Sequence, residues 1–437
     1  MRNQIGKSAV VVALMVFCAL SGWTQTLTSN DQVRVVNKVI AELKDKYPFP
    51  EITARIESTL KQNLNSGAYA KITDPNDFAG RITYELQEIS KDRHVNISYT
   101  PEPQKVEPLR IQSIYTPTNE LDRMERDNRA NNYGTTEARI LPGNVGYIKF
   151  GTLQPLEYAG DVYAAAMRFI ANSDALILDL RTSTGANSVD AIPFLTGYLF
   201  EHPVHLTNFY MGGNAKVRQL WSFGYVPGPR YLNKPVYALT SRMTFSGGEA
   251  FAYELQAQKR ATVIGDVTGG GGNPNAVYPI DEHFMMSIAF ARVENPVTGT
   301  NWNEKGVQPD VPVPQAEALH RAHLIALEKL EASAPAEKKF QYASALEDLR
   351  AVPPVIPKVL FQLKGHPQAK SVSLLAGFNF YMPWVNPMQN VNGVWTTTVR
   401  VEPGRYQYLF LVDGQQVLDP ANPQTNAVKR ANIIVVK

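Results

Sequence analysis

The sequence predicts an α/β core that follows a helical N-terminal domain and precedes a C-terminal β-sandwich. In the first hundred residues apolar side chains recur at helical spacing, as at Val33, Val36 and Ile40. Between Ile140 and Val313 short apolar strands alternate with helices, which favours a largely parallel sheet. Beyond residue 358 the apolar period changes to two, which is typical of antiparallel strands.

Composition narrows the classes of function. The chain has 437 residues, of which 44% are apolar and 19% charged, as in folded globular proteins. Its net charge of +3 gives no electrostatic reason to expect a nucleic-acid partner. Its single cysteine excludes an internal disulfide, a zinc–thiolate cluster and a CxxC redox motif.

Residues 1–25 have the layout of a secretory signal peptide. Arg2 and Lys7 flank the start of an apolar run, Ala9–Leu20, and small residues follow, so we expect cleavage near Ser21–Gln25. Cys18 would leave with this segment. The run is short for a transmembrane helix, an uncleaved N-terminal anchor is the alternative, and no later segment is long and apolar enough to span a membrane. We therefore expect an exported protein, periplasmic or extracellular, from a bacterium.

Residues 26–107 are predicted to form the helical domain. Pro48 and Pro50 break the first helix, so we expect a second helix at Ile52–Leu64 and a third that begins at Asp74-Pro75. The alternating segment Val95–Tyr99 is expected to be a strand. A polar linker or long loop follows.

Residues 108–332 are predicted to form the α/β core, 333–357 a helix and a proline-rich linker, and 358–437 the sandwich. The core strands are expected at Val145–Phe150, Ala175–Leu180, Val236–Thr240 and Ala261–Gly265, and helices at Leu156–Ala171, Val189–Phe200, Gly247–Gln258, Ala316–Glu331 and Ala336–Arg350. In the sandwich, Asp413-Gly414 is a hairpin-turn signal.

The strongest local candidate for chemistry is Ser246, which follows a predicted strand and begins a predicted helix. Unpaired N–H groups and the helix dipole could stabilise an oxyanion formed beside a serine nucleophile at this position. An ordinary N-cap serine is the alternative, and the local sequence alone favours it. Three other stretches change that balance: Ser90–Val95 with His94, Asp179–Asn187, and Gly299–Asp310 with Glu304.

Taken in order, these four stretches resemble the tail-specific, or C-terminal processing, family of serine peptidases. The closest likeness is to the branch that is similar to the tricorn protease core and to interphotoreceptor retinoid-binding protein, and it spans roughly residues 33–330. The resemblance implies a ClpP/crotonase-like core with Ser246 as the nucleophile. It also implies an oxyanion hole formed by Gly185, Ala186 and Gly247.

The same resemblance implies that His94 is the general base and that Glu304 is the carboxylate on the far side of that base, in contact with it either directly or through an intervening group. The family's other branch uses a Ser–Lys dyad, but the Gly-rich stretch Asp266–Pro274 contains no lysine. His94 is therefore needed as the base. Within that stretch we expect Gly269, Gly270 and Gly271 to bind substrate by backbone pairing with an extended peptide, or to act as a flexible lid. No cofactor and no metal is implied.

The C-terminal region resembles the glycogen-binding domain of the AMP-activated kinase β subunit, an early-set immunoglobulin-like domain. The segments Leu375–Asn379, Gly393–Trp395 and Val412–Gly414 carry this likeness. Tyr381 stands where the first sugar-stacking tryptophan would be, and Trp384 lies nearby, but the other sugar-contacting positions are mostly absent. A docking or protein-interaction role is therefore favoured over glycan binding.

These observations predict an exported serine endopeptidase that acts on peptides or proteins. Two alternatives stay open. One is a non-catalytic module of the same fold that carries apolar ligands, and the other is a carbohydrate-associated protein that acts through its C-terminal domain.

Overall fold

The computed structural model describes residues 26–104, 128–211, 216–426 and 431–437. The predicted signal peptide, with Cys18, lies outside these residues, and so does most of the predicted linker before the core. In the part of the chain that is described, no helix is long and apolar enough to cross a membrane.

The helices, in chain order, are α1 (Ser29–Lys46), α2 (Pro50–Asn65), α3 (Pro75–Ser90), α4 (Leu156–Phe169), α5 (Ala191–Gly197), α6 (Gly247–Ala257), α7 (Gln315–Ser333) and α8 (Ala336–Ala351). The strands are β1 (Asn96–Tyr99), β2 (Thr135–Leu141), β3 (Val145–Phe150), β4 (Ala175–Asp179), β5 (His205–Met211), β6 (Lys216–Trp221), β7 (Val236–Thr240), β8 (Thr262–Gly265), β9 (Asn275–Pro279), β10 (Phe284–Ala289), β11 (Ala291–Glu294), β12 (Val311–Pro312), β13 (Lys358–Leu363), β14 (Val372–Ala376), β15 (Gln389–Val391), β16 (Val394–Arg400), β17 (Gly404–Val412), β18 (Gln415–Val417), β19 (Thr425–Asn426) and β20 (Ala431–Val436).

The central sheet has the strand order β12-β8-β7-β4-β3-β2. The pairs from β3 to β12 are parallel, and β2 is antiparallel at one edge. Helices α4, α5 and α6 cover one face, and α7 and α8 cover the other, so β4 and β7 are buried along their whole length. This arrangement confirms the predicted α/β core. It also places α8, which was predicted within the linker segment, on the core through Tyr342 and Leu346.

The N-terminal helices share their apolar core with strands from much later in the chain. A small antiparallel sheet, in the order β1-β10-β9, packs against α1, α2 and α3. Val36 and Phe78 from the helices lie in one cluster with Met286 and Ile288 from β10. The N-terminal region is therefore helical, as predicted, but it is completed by residues 275–289. This shared apolar cluster holds the turn after α3 against the α/β core.

Two antiparallel sheets form the C-terminal domain, in the orders β13-β16-β15 and β14-β17-β20-β19. They enclose one apolar cluster that includes Phe361, Trp395 and Phe410. Asp413 and Gly414 form the two-residue turn between β17 and β18, and both have the positive φ that such hairpins require, 47° and 86°. The predicted antiparallel domain and its hairpin are confirmed.

A buried ion pair closes the carboxyl end of β4. Arg181 Nε donates to Asp179 Oδ1 at 2.9 Å and its Nη2 to Oδ2 at 2.6 Å, and the Tyr147 hydroxyl also donates to Oδ2, at 2.7 Å. Burial alone would raise the pKa of Asp179, but these donors hold that pKa below its ordinary value. The pair therefore contributes stability above about pH 4, and that contribution is lost as the pH falls through the lowered pKa.

Replacing Asp179 by asparagine is expected to lower the free energy of unfolding by about 3 kcal/mol at neutral pH, because the Arg181 side chain, which is only 21% exposed, would lose its counter-charge. Urea unfolding measures this, and the gap from the wild type should narrow below about pH 4. The matched control is Glu137→Gln, which breaks a half-exposed pair with Arg139 and should cost less than about 1 kcal/mol. Equal losses in the two variants would contradict the interpretation of Asp179–Arg181 as a stabilising buried pair.

Candidate active site

Ser246 lies in the tight turn between β7 and α6. Its backbone has φ 50° and ψ −117°, a conformation that is costly for a residue with a side chain. The turn is fastened to the end of β4, because the Thr244 hydroxyl donates to Leu180 O at 2.8 Å and Phe245 N donates to Ser183 O at 2.9 Å. A strained strand-to-helix turn of this kind is the backbone geometry that presents a serine nucleophile.

Three backbone N–H groups surround Ser246. A Cβ added to Gly185 would lie 3.6 Å from Ser246 Cβ, and one added to Gly247 would lie 2.6 Å from Ala186 N. Gly185 has φ 153° and Gly247 is the first residue of α6. Among the described residues, the N–H groups of Gly185, Ala186 and Gly247 donate to no protein acceptor. The three residues predicted for the oxyanion hole therefore lie together, with donors available to an oxyanion.

His94 follows α3, in the turn that leads into β1, and only 5% of it is exposed. Its ring lies 4.7 Å from the Phe245 ring, measured between centroids. Neither ring nitrogen has a hydrogen-bond partner, so a Ser246–His94 hydrogen bond is not formed in this structure. Burial lowers the pKa of His94, and Asp92 opposes that shift. The imidazole is therefore held in the neutral form that a general base needs.

Asp92 is the carboxylate that lies beside this base. It is fully buried, its Oδ1 is 3.7 Å from His94 Nδ1, and the same oxygen accepts the His94 backbone N–H at 3.0 Å. Its Oδ2 accepts the Tyr47 hydroxyl at 3.3 Å. The sequence analysis missed this residue, although its position two residues before the histidine, in a turn, was a usable signal.

Glu304 makes no direct contact with His94. Its side chain is exposed, and its backbone N–H donates to Gly270 O at 2.8 Å. Within the described ranges its carboxylate lies more than 4 Å from both ring nitrogens of His94, whereas that of Asp92 lies within that distance. The reason is the left-handed conformation of Glu304, φ 67°, in a turn that places its backbone against the Gly-rich segment. Glu304 therefore makes no direct contact with the His94 ring, and its orienting role through an intervening group stays a prediction.

Glu249 connects Ser246 to the Gly-rich segment, and the sequence did not lead us to predict this role. It is fully buried on α6, and its Oε2 accepts Ser246 N and Gly271 N, both at 2.8 Å. Its Oε1 accepts Gly270 N at 2.6 Å and the Thr268 hydroxyl. An acidic residue three positions after a serine at a helix start was the available signal, since that spacing lets a carboxylate reach back to the serine's backbone.

The segment Gly269–Gly271 is buried and hydrogen-bonded within the protein. Its predicted pairing with an extended peptide substrate is therefore corrected. Its N–H groups donate to Thr244 O and Glu249, and its carbonyl groups accept from Arg93, Glu304 N and Trp302 Nε1. All three residues are buried. A Cβ on Gly271 would lie 2.7 Å from His94 Cε1, so glycine is required there for the close approach.

Replacing Glu249 by glutamine is expected to lower kcat roughly 10²-fold, because its amide group would face backbone N–H groups and release Ser246 from its position. We expect an accompanying loss of about 2 kcal/mol in unfolding free energy. Burial raises the pKa of Glu249 to about 7 against its four donors, so acidification through that pH should protonate the carboxyl group and weaken its contact with Ser246 N, while the raised pKa itself favours the folded state as the pH falls. A peptide-cleavage assay and urea unfolding measure the two effects.

The matched control is Glu254→Gln on the same helix. Glu254 is also buried and accepts from the Thr207 hydroxyl and Asn295 Nδ2, both at 2.5 Å, away from the nucleophile. That variant should lose stability and keep kcat within a few-fold. Equal losses of kcat in both variants would refute the link between Glu249 and the position of Ser246.

Trp384 does not present a free platform for a sugar. Its ring lies 4.9 Å from the Phe245 ring, between centroids, and its Nε1 donates to Arg242 O at 3.2 Å. Tyr381 remains 41% exposed on the sandwich surface. The predicted stacking by Trp384 is therefore not supported, because the side chain packs against the core. Across the described residues, no group of three or more histidine, cysteine, aspartate or glutamate side chains is placed to hold a metal ion.

Comparison with known proteins finds two related family models. Residues 144–313 match the model of peptidase family S41, and residues 26–126 match the N-terminal domain of Peptidase_S41 in eukaryotic IRBP. Together they match more than half of the chain.

Curated relatives share the same region. The chloroplastic carboxyl-terminal-processing peptidase 2 of Arabidopsis thaliana is 27% identical over 186 residues, which are 40% of this chain and 34% of the relative. The carboxy-terminal-processing protease of Bartonella bacilliformis is 27% identical over 181 residues, 40% of each chain. The chain thus spans about a third to two fifths of the length of these relatives. Among solved structures, a photosystem II D1 C-terminal processing protease aligns with a TM-score of 0.39 and 14% identity, over 67% of this chain and 95% of that one.

Proposed function

Because the chain belongs to peptidase family S41, we propose that it is a serine endopeptidase with Ser246 as its nucleophile. The observation that carries the proposal is the strained turn at Ser246 beside the unpaired N–H groups of Gly185, Ala186 and Gly247. A helix N-cap needs neither a positive φ nor a second strand end that brings N–H donors to the same serine. Both are features of a serine nucleophile that lies in a strand-to-helix elbow beside an oxyanion hole.

The reaction follows from the roles of these groups. Ser246 Oγ attacks the carbonyl carbon of a peptide bond while His94 takes the hydroxyl proton. The three backbone N–H groups bind the oxygen that becomes negatively charged, and Asp92 stabilises the imidazolium. His94 then gives the proton to the departing amine. Water, with His94 again as base, hydrolyses the ester on Ser246 and restores the enzyme.

The ring nitrogens of His94, which have no hydrogen-bond partners, affect the first step, in which His94 must accept the Ser246 proton. Both are buried and without partners, which is costly unless a further group completes the site. Catalytic hydrogen bonds are commonly long without substrate and tighten when it binds. We propose that a bound peptide brings Ser246 Oγ and His94 within hydrogen-bond distance and shortens the 3.7 Å contact with Asp92.

The proposed substrates are peptides or unfolded protein segments in an exported compartment. The named relatives are carboxyl-terminal-processing peptidases, which supports protein substrates. The proposed compartment rests on the signal-peptide pattern of residues 1–25.

Labelling with a fluorophosphonate probe tests the proposal. At neutral pH the folded protein should take up the probe on Ser246, identified by peptide mass, and heat-denatured protein should not. The same preparation should cleave unfolded casein. A folded protein that neither labels nor cleaves, and that carries a tightly held apolar ligand, would replace this proposal with the binding-module alternative.

A further inference from the structure

The C-terminal sandwich reaches the active site through the loop between β14 and β15. Trp384 in this loop contacts Phe245, the residue before the nucleophile, and its Nε1 donates to the Arg242 carbonyl in the turn that leads to Ser246. The Arg93 guanidinium, adjacent to His94, lies 5.4 Å from the centre of the Trp384 ring. One side chain of the appended domain therefore touches both arms of the proposed catalytic site.

Three rings lie in a row. Phe245 is 4.7 Å from His94 at a 41° tilt and 4.9 Å from Trp384 at a 33° tilt, measured between centroids. The row passes over Gly269, where an added Cβ would lie 2.6 Å from Phe245 Cδ2 and 2.9 Å from Trp384 Nε1. Only a glycine leaves room for this approach, so the contact between the two domains is closely packed.

This row matters because packing, and not hydrogen bonding, holds the His94 ring. Neither of its nitrogens has a partner, so the neighbouring Phe245 and Gly271 restrict its rotation. Only 8% of Phe245 is exposed, and Trp384 packs against its ring. Without Trp384, Phe245 gains freedom to move and water gains access to the row.

The sandwich is also anchored at two further places, so Trp384 is held firmly. At α3, a Cβ added to Gly80 would lie 2.7 Å from Gly414 O, in the hairpin turn between β17 and β18. On the core side, Arg400 of β16 forms an ion pair with Glu317 of α7. The domain therefore bridges the region that carries His94 and the core that carries Ser246.

We propose that Trp384 is a positioning residue of the active site, which sets the His94 ring through Phe245 and makes the C-terminal sandwich part of the catalytic unit. This rests on the proposed peptidase function. The sandwich then contributes directly to the peptidase reaction, and the role of the loop that carries Trp384 does not depend on sugar binding.

Replacing Trp384 by alanine should lower kcat roughly 10–10²-fold with little change in KM, because a misplaced base slows the chemical step and leaves ground-state binding intact. Replacement by phenylalanine, which restores a ring, should recover most of the loss. The control is Tyr381→Ala, in the same loop but exposed, which should behave as wild type. Thermal unfolding verifies that each variant is folded, and Trp384→Leu replaces the alanine variant if that one is not.

The pH profile separates positioning from general loss of structure. The charged groups around the row are Asp92, Glu249 behind the Gly-rich segment, and Arg93 and Arg242 beside Trp384. Trp384→Ala removes none of these charges, so a shift in the pKa of His94 in this variant reports the change in solvent access to the ring. The acid limb of kcat/KM should move up towards the ordinary histidine pKa of about 6.5 in Trp384→Ala and stay in place in Tyr381→Ala.

An NMR titration of the His94 imidazole keeps this proposal distinct from the proposed function. The titration midpoint should rise in Trp384→Ala whether or not any peptide is cleaved. An unchanged midpoint and an unchanged kcat in a folded Trp384→Ala variant would overturn the positioning role. Failure of Ser246 to react with the fluorophosphonate would instead overturn the peptidase assignment, while the titration would still report on Trp384.

Discussion

Replacing Ser246 by alanine is expected to lower kcat for a peptide substrate by roughly 10⁶-fold. The hydroxyl that is proposed to form the acyl-enzyme is lost. The backbone should persist, because alanine and serine meet the same steric cost at φ 50°. KM should change little. Steady-state cleavage with tag-purified protein measures the loss.

A small residual rate is part of this expectation. The N–H groups of Gly185, Ala186 and Gly247 remain, and such donors alone sustain a rate of roughly 10³–10⁴ over that in water. The matched control is Ser188→Ala, which removes a buried hydroxyl three residues after Gly185 and should keep full activity. If Ser246→Ala retained more than a few per cent of wild-type kcat, the nucleophile would have to be sought elsewhere.

Replacing Asp92 by asparagine is expected to lower kcat by roughly 10³–10⁴-fold. The amide has no charge to stabilise the imidazolium, and its N–H₂ group can turn towards His94 Nδ1 and favour the wrong tautomer. The change is nearly isosteric, and the bond from the Tyr47 hydroxyl can persist at the amide oxygen, whereas the bond from the His94 backbone N–H is lost because the amide nitrogen cannot accept it. Steady-state kinetics and the pH profile of kcat measure the effect.

Glu304→Gln is the control that decides between the two carboxylates. Because the Glu304 side chain is exposed and its contact with the Gly-rich segment is made by its backbone, kcat should stay within a few-fold of the wild type. A large loss in Glu304→Gln together with a near-normal Asp92→Asn would show that the loop at 299–310 rearranges on substrate binding and that Asp92 is not the orienting group.

The turn at Ser246 was predictable because its signal is local. A buried strand, two glycines and a helical pattern lie within about 20 residues of each other, and the end of β4 meets them across one strand pair. Glu304 was not predictable in the same way. It lies about 210 residues from His94 along the chain, and whether its backbone or its carboxylate faces the site depends on one left-handed residue.

The prediction that the Gly-rich segment pairs with substrate was wrong for a related reason. Four glycines suggest a free backbone, but the partners that occupy it come from three separate parts of the chain: Arg93, the turn and helix start with Thr244 and Glu249, and the loop with Trp302 and Glu304. Long-range pairing of this kind leaves no periodic trace in the sequence. The same holds for β9 and β10, for which no strands were predicted, because nothing in their sequence shows which core their apolar residues complete.

The shared core of the N-terminal helices has a consequence for biosynthesis. When α3 has left the ribosome, about 200 residues must still be made before β10 can cover Val36 and Phe78, which at 5–20 residues per second takes roughly 10–40 s. During that time the nascent chain cannot close its first core, and His94 cannot meet Ser246. The apolar faces of α1, α2 and α3 therefore stay without their final cover until residues 275–289 have been made.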